Sequence, residues 1–276
     1  MGDLYQFPDG VRQRTDLERV RSTYTAHEIS RRFGLSEQVV RRWAREGLIG
    51  RAAGEETGEL RFDFQALNQL RRVRELRNQG LSVKQIEAEL RGQLNLFSQL
   101  DLFPEAGNRV VPLPVRLSPF EEALALHERG DPRAAQSYLQ TIERGEYSPD
   151  AYCNLGIMEF DKGNLVEAFE CFTRALGHDP RHFESHLNLG HLYFECGDLR
   201  LARLHYELAA RIEPSFPDLY FNLGLVHAVR GEFEDAVDVL RKAKEFGEED
   251  DGRKVDVLLK GIAKLLRNSA GNPGSS

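Results

Sequence analysis

The run Tyr24-Thr25-Ala26-His27-Glu28-Ile29-Ser30-Arg31-Arg32-Phe33-Gly34-Leu35-Ser36 holds two helix starts in close succession. Thr25 caps a first helix, and Glu28, three residues on, closes a capping box. Phe33 ends that helix and Gly34 supplies the tight turn. Ser36 caps a second helix, Glu37 to Glu46, which Gly47 stops. Two short helices joined by a glycine-containing turn form the helix-turn-helix pattern, whose second helix enters the DNA major groove.

The apolar spacing agrees with that geometry. Ile29 and Phe33 share a face of the first helix, Val40 and Trp43 a face of the second, and Leu35 and Leu48 close a small core. Trp43 reads as core rather than as a base-stacking residue. Gln38, Arg41, Arg42 and Arg45 then face outward, where Arg reads guanine or grips phosphate and Gln reads adenine. Leu48 to Phe64 reads as a two-stranded ribbon around the turn 54–58, with Arg51 and Arg61 on its arms. Helices follow over Phe64–Gln79, with Leu67, Leu70, Val73 and Leu76 as its stripe, and over Ser82–Arg91, carrying Val83, Ile86 and Leu90. Arg71, Arg72, Arg74 and Arg77 read as a solvated face.

Tyr24-Thr25, Gly34-Leu35-Ser36, Arg41, Gly47-Leu48-Ile49, Gly58, Phe62 and Gly80-Leu81-Ser82 stand where MerR-type regulators carry matching residues. The segment resembles that family over roughly 70 residues. The resemblance implies DNA contacts from Thr25, Gln38, Arg41 and Arg42, and flanking phosphate contacts from Arg51 and Arg61. Two departures stand out. Arg42-Trp43 replaces the usual aromatic pair, and Leu60 sits where a wing arginine is expected, with Arg61 one place later. The long dimerisation helix of the family has no obvious counterpart, so the oligomeric state stays open.

Charge divides the chain. Of its 276 residues, 37 are Lys or Arg and 44 are Asp or Glu, for a net charge of −7. Residues 1–92 hold 17 basic and 14 acidic residues (net +3), leaving 20 and 30 (net −10) for the remainder. The C-terminal part is therefore a poor DNA binder, and DNA affinity in the N-terminal part must come from the placement of a few arginines. No apolar run is long enough to span a bilayer, and Met1–Arg21 lacks the apolar core of a signal peptide. Three scattered cysteines suit free thiols in a reducing cytoplasm.

From about Phe120 onward the chain repeats with a period of 34. Leu155-Gly156, Leu189-Gly190 and Leu223-Gly224 keep that interval. So do Gly163, Gly197 and Gly231; Ala168, Ala202 and Ala236; Ala175, Ala209 and Ala243; and Pro180 and Pro214. The pattern resembles the tetratricopeptide (TPR) family. Small residues sit where paired helices cross, and Tyr152, Phe172, Tyr193, Tyr206 and Tyr220 fill the space between repeats. A degenerate first repeat occupies about 118–149. Val255, Leu258, Leu259, Ile262 and Leu265 form an amphipathic capping helix.

Asn154, Asn188 and Asn222 recur on the first helices. The TPR resemblance implies that these line a concave groove and hold the backbone of an extended peptide, since an amide both donates and accepts. The alternative is that they bond neighbouring helices. His178, His182, His186 and His191 cluster in sequence, but packing accounts for His186 and no metal site is expected. No catalytic order of Ser, His and Asp and no phosphate-cradling loop is present, so neither an enzyme nor a cofactor is expected.

The expected architecture is mainly α: an N-terminal winged helix-turn-helix with a small β-ribbon wing, and a C-terminal α-solenoid of TPR repeats. The expected layout is a charged leader (1–22), a winged-helix domain (23–91), an apolar and Pro-rich linker (92–117), about four repeats (118–247), a capping helix (253–268) and a disordered tail (269–276). The expected function is a cytoplasmic, DNA-binding transcription regulator. Its partners would be double-stranded DNA and a protein or peptide in the groove, with no membrane. The rival reading is a scaffold whose winged helix binds protein.

Overall fold

The computed structural model describes residues 17–52, 60–99, 118–247 and 249–270. In chain order these form β1 (Thr23–Thr25), α1 (Ala26–Phe33), α2 (Glu37–Arg45), β2 (Arg61–Asp63), α3 (Phe64–Asn78), α4 (Val83–Gln99), α5 (Pro119–Glu128) and α6 (Ala134–Glu143). Then come α7 (Ser148–Asp161), α8 (Leu165–His178), α9 (Phe183–Glu195), α10 (Leu199–Ile212), α11 (Pro217–Val229), α12 (Phe233–Phe246) and α13 (Glu249–Ala270). The chain falls into two compact units. One runs Arg21–Ser137; the other combines the described residues before Arg21 with those from Tyr138 onward.

The first unit is built on the helix-turn-helix. Thr25 caps α1 with the full capping box, Ser36 caps α2, and Gly34 ends α1 in the left-handed region at φ 58. That backbone is cheap only for glycine. Ile29, Val40, Trp43, Phe62, Leu67 and Leu70 are fully buried and form the core with Phe33 and Leu76. Arg77 departs from the solvated reading. Its Nη1 donates to the Phe33 and Gly34 carbonyls at 2.7 and 3.0 Å, satisfying acceptors that the end of α1 leaves open. Arg74 lies 5.6 Å from the Phe33 ring centre.

The sheet also differs from expectation. β2 pairs antiparallel with β1, Thr25 opposite Arg61, rather than with the strand residues before the 54–58 turn. Across that turn the described contact is the Ala52 N–H donating to the Arg61 carbonyl at 3.0 Å; residues 53–59 lie outside the described ones. The reason is burial. Tyr24 and Phe62 are opposite one another and both face the core, which fixes the register.

The bounds of the layout shift as well. α4 continues to Gln99, past the expected linker boundary at 92. The side chains of the apolar cluster Leu94–Phe103 and the Pro-rich linker lie outside the described residues. α5, expected in the first repeat, belongs to the winged-helix unit. Phe120 is fully buried, 4.7 Å from Phe64 between ring centres, and the Glu128 carboxylate accepts from both the N–H and O–H of Ser22. α13 runs past the expected capping-helix bounds at both ends, and residues 271–276 of the tail are not described.

The second unit is an α-solenoid of antiparallel helix pairs, α7/α8, α9/α10 and α11/α12, closed by α13. Three fused cores run through it. Cys153, Phe172 and Leu189 anchor the first, Leu187, Tyr206 and Leu223 the second, and Leu240, Val255, Leu258 and Ile262 the third. Each first helix carries a glycine against a large side chain of its own second helix. A Cβ on Gly190 would lie 2.5 Å from the Tyr206 ring, and one on Gly156 2.7 Å from Phe172. Backbone contact at these points is what lets the two helices approach.

Two outcomes are expected. Gly190→Ala should destabilise the array by about 1–3 kcal/mol through overpacking. The exposed helical Gly177, with open space around it, should gain roughly 0.5–1 kcal/mol as Gly177→Ala. Chemical denaturation of both variants checks the contrast. The second outcome concerns pH. Burial holds His191 down at about 4 from its ordinary 6.5, with Tyr206 Oη at 2.9 Å from its Nδ1. Burial, then neighbouring His186, holds His205 at about 4 too. The unfolded chain binds more protons between those values, so stability is full above about 6.5 and falls as pH drops toward 4. The slope is about 1.4 kcal/mol per pH unit for each such histidine. Urea unfolding at several pH values should show the decline, and His191→Gln should remove about half of it, leaving the contribution of His205.

Candidate nucleic-acid interface and peptide groove

α2 separates its residues cleanly. Val40, Trp43 and Ala44 are buried, while Gln38, Arg41, Arg42 and Arg45 are exposed. Positions 38, 41, 42 and 45 follow the three-four spacing of one helix face. Arg41 Nε donates to Glu37 Oε1 at 2.7 Å within the helix. Arg42 Nη2 donates to Glu87 of α4 at 2.9 Å, and Arg91 bonds both Glu87 and Glu46. The Glu87 carboxyl is held below its ordinary range, first by its hydrogen bond from Arg91 and further by Arg42. Arg45 makes one long contact, to the Arg41 carbonyl at 3.4 Å. Gln38 has no hydrogen-bond partner among the described residues.

The flanking candidates are more engaged. Thr25 Oγ1 accepts from the Glu28 N–H at 3.2 Å as the α1 cap, which leaves the hydroxyl hydrogen available to a ligand. Arg61 is exposed, and its Nη1 donates to Thr23 Oγ1 at 3.2 Å across the sheet. Arg51 is exposed.

In the array, Asn154 and Asn188 are fully buried and bond main chain. Asn154 Oδ1 accepts from the Val20 N–H at 3.0 Å, and its Nδ2 donates to the Val20 carbonyl at 2.9 Å. Asn188 Oδ1 accepts from the Glu18 N–H, and its Nδ2 donates to the Glu18 carbonyl, both at 2.9 Å. Both amides also bond within the array: Asn154 Nδ2 donates to Tyr138 Oη at 3.0 Å, and Asn188 Nδ2 meets Cys153 Sγ at 3.5 Å. The two amides thus bond both the main chain of residues 18 and 20 and side chains of neighbouring helices. Asn222 is 6% exposed and has no hydrogen-bond partner among the described residues.

The four clustered histidines go to different places. His182 Nε2 meets Asp150 Oδ1 at 3.2 Å and Glu184 Oε2 at 3.6 Å, with Ser185 Oγ 2.8 Å from its Nδ1. Ligand atoms of Asp150, His182 and Glu184 lie within 4.8 Å of one another, all three residues buried. This network joins α7 to the start of α9, one helical turn before Asn154 and Asn188. His186 pairs with His205 at 3.1 Å, His191 with Tyr206, and His178 stacks on Tyr152. Asp150 and Glu184 were not singled out in the sequence; their spacing of 34 and their place four residues before each asparagine were the available signal.

Comparison with known proteins follows the same division. Residues 24–93 match the family model "MerR HTH family regulatory protein". Residues 149–182, 190–228 and 217–242 match tetratricopeptide repeat models. The chain joins a MerR-type helix-turn-helix to a TPR array. Among curated relatives, tetratricopeptide repeat protein 8 of Mus musculus is 27% identical over 106 residues, covering 38% of this chain and 21% of that protein. Its Caenorhabditis elegans counterpart is 39% identical over 67 residues, covering 24% and 13%. The match thus spans a small part of either relative. Among solved structures, the first TPR of Spaghetti (RPAP3) bound to HSP90 peptide SRMEEVD is 21% identical and covers 44% of this chain and 94% of that one, with a TM-score of 0.41. Both matched segments are of regulatory or protein-binding families. No described helix is long and apolar enough to cross a membrane.

Proposed function

We propose that this protein is a cytoplasmic DNA-binding transcription regulator whose TPR array takes an extended peptide from a protein partner. The observation that carries the DNA reading is the outward stripe Gln38, Arg41, Arg42 and Arg45 on a helix whose opposite face is buried. Gln38 and Arg45 meet base edges. Arg41 and Arg42 exchange their ion pairs for phosphate or guanine. That exchange is favourable in magnitude, because an exposed pair contributes about 0–1 kcal/mol while a good bidentate base contact is worth about 1–3 kcal/mol. Thr25, Arg51 and Arg61 hold the flanking phosphates. Asn154, Asn188 and Asn222 hold the backbone of the peptide. Each phosphate contact steepens the fall of affinity with salt, with a log–log slope near −0.9 per contact.

The decisive variant is Gln38→Ala with Arg45→Ala, because among the described residues neither side chain bonds another helix. DNA fragments retained by the full chain at moderate salt supply the binding site. The double variant is expected to lose about 1–3 kcal/mol per base contact and to relax sequence preference at those positions. Arg41→Ala should weaken binding to all sequences alike and reduce the salt slope. Unchanged DNA affinity accompanied by loss of a bound protein would instead establish the scaffold reading.

A further inference from the structure

The TPR groove already holds a peptide, and the peptide belongs to this chain. Asn154 and Asn188 sit at the same slot of successive repeats and clamp Val20 and Glu18, two residues apart. Along an extended chain successive residues alternate in direction, so Glu18 and Val20 present their N–H and C=O groups on the same edge. The segment runs opposite to the repeat order, the later clamp taking the earlier residue. Val20 is 1% exposed, and Leu17 packs on the core of Cys153, Ile157, Phe172 and Leu189. Four hydrogen bonds go to backbone groups that every peptide carries, whereas the two apolar contacts depend on side chains.

We propose that Leu17–Val20 is an internal ligand of the array, and that its partner is an extended peptide with apolar side chains in the Leu17 and Val20 positions, admitted only by displacing this segment. This rests on the reading of the array as peptide-binding. The covalent link makes occupation by the internal ligand an intramolecular event, with which a free partner must compete. A partner without the tether must therefore bind more tightly than the leader's own side chains do. The leader thus sets a threshold for partner entry.

The test uses the full chain and a labelled peptide of residues 15–22, Thr-Asp-Leu-Glu-Arg-Val-Arg-Ser. Binding is read by fluorescence anisotropy against the parent protein and against Leu17→Ser/Val20→Ser, which removes the internal ligand's side chains and leaves every groove residue. The variant should bind the peptide at least tenfold more tightly than the parent. A peptide N-methylated at the Glu18 and Val20 nitrogens, unable to donate to either asparagine, should lose at least that factor. Equal affinity for parent and variant overturns the internal ligand while leaving the groove intact as a peptide site. No binding to a variant that unfolds with the parent's cooperativity overturns the groove reading itself. Parent dimers in sedimentation that the peptide dissolves place the segment in a second copy's groove and overturn the intrachain assignment. Hydrogen exchange on the unmodified chain checks the same point without a variant. The Glu18 and Val20 amides should exchange at least tenfold more slowly than in a free peptide and should lose that protection at saturating unlabelled peptide; coil-like exchange from the start counts against the proposal.

Discussion

A side-chain amide with no access to water must find partners for both its carbonyl oxygen and its nitrogen. That constraint governs the array. Asn154 and Asn188 are fully buried, and the main chain of Val20 and Glu18 completes them. A buried polar group left without a partner costs about 1–3 kcal/mol, more than a single hydrogen bond contributes when made. An occupant that seals these amides from water must therefore offer them a free backbone edge, as residues 18 and 20 do. Sequence-blind clamping in the middle leaves selectivity to the apolar contacts beside it. The buried Asp150–His182–Glu184 network, one turn earlier on the same helices, ties α7 to the start of α9 beside the two amides.

In the other unit the governing constraint is steric and electrostatic together. Gly34 allows the chain to turn sharply, Arg77 ties that turn to α3, and Trp43 fixes α2 by burial. With its inner face committed, α2 has no choice but to present Gln38, Arg41, Arg42 and Arg45 to solvent. Glu87 and Glu46 hold Arg91 and Arg42 beside that face through exposed pairs, which orient the guanidinium groups without contributing much stability. The modest +3 of residues 1–92 is concentrated locally, three arginines of α2 sharing one outward stripe with Gln38.

Local chemistry was legible in the sequence, and long-range pairing was not. The caps at Thr25 and Ser36, the left-handed Gly34, the repeat glycines and the asparagine ladder all follow from neighbours within one turn or from a fixed period. The pairing of β1 with β2 joins strands of three residues across 38 positions, too short for alternation to declare a partner. The allegiance of α5 turns on Phe120 finding Phe64, a contact that no spacing encodes. Arg77 looked like one arginine among several on a polar face, since nothing in sequence says which guanidinium meets an open helix end. The asparagine slots were visible, but their occupant was not, because the leader lies 134 and 170 residues from the side chains that hold it.

The chain passes directly from the residues held by the array asparagines into the winged-helix unit. Val20 is clamped by Asn154, and the next residue, Arg21, already belongs to the winged-helix unit. There its N–H donates to Tyr24 Oη at 2.9 Å, its guanidinium pairs with Glu28 at 2.8 Å, and β1 begins two residues later. Glu28 is also the residue that closes the α1 capping box; its carboxyl is held low by the Thr25 backbone N–H and by Arg21 against the opposing effect of burial. One peptide bond therefore separates the groove's occupant from the residues that start the reading motif. A partner taking the place of Leu17–Val20 would leave Arg21 and Ser22 held within the winged-helix unit by Tyr24, Glu28 and Glu128. Any difference this makes to DNA affinity must be returned as an equal factor in partner affinity, because the two equilibria share one molecule.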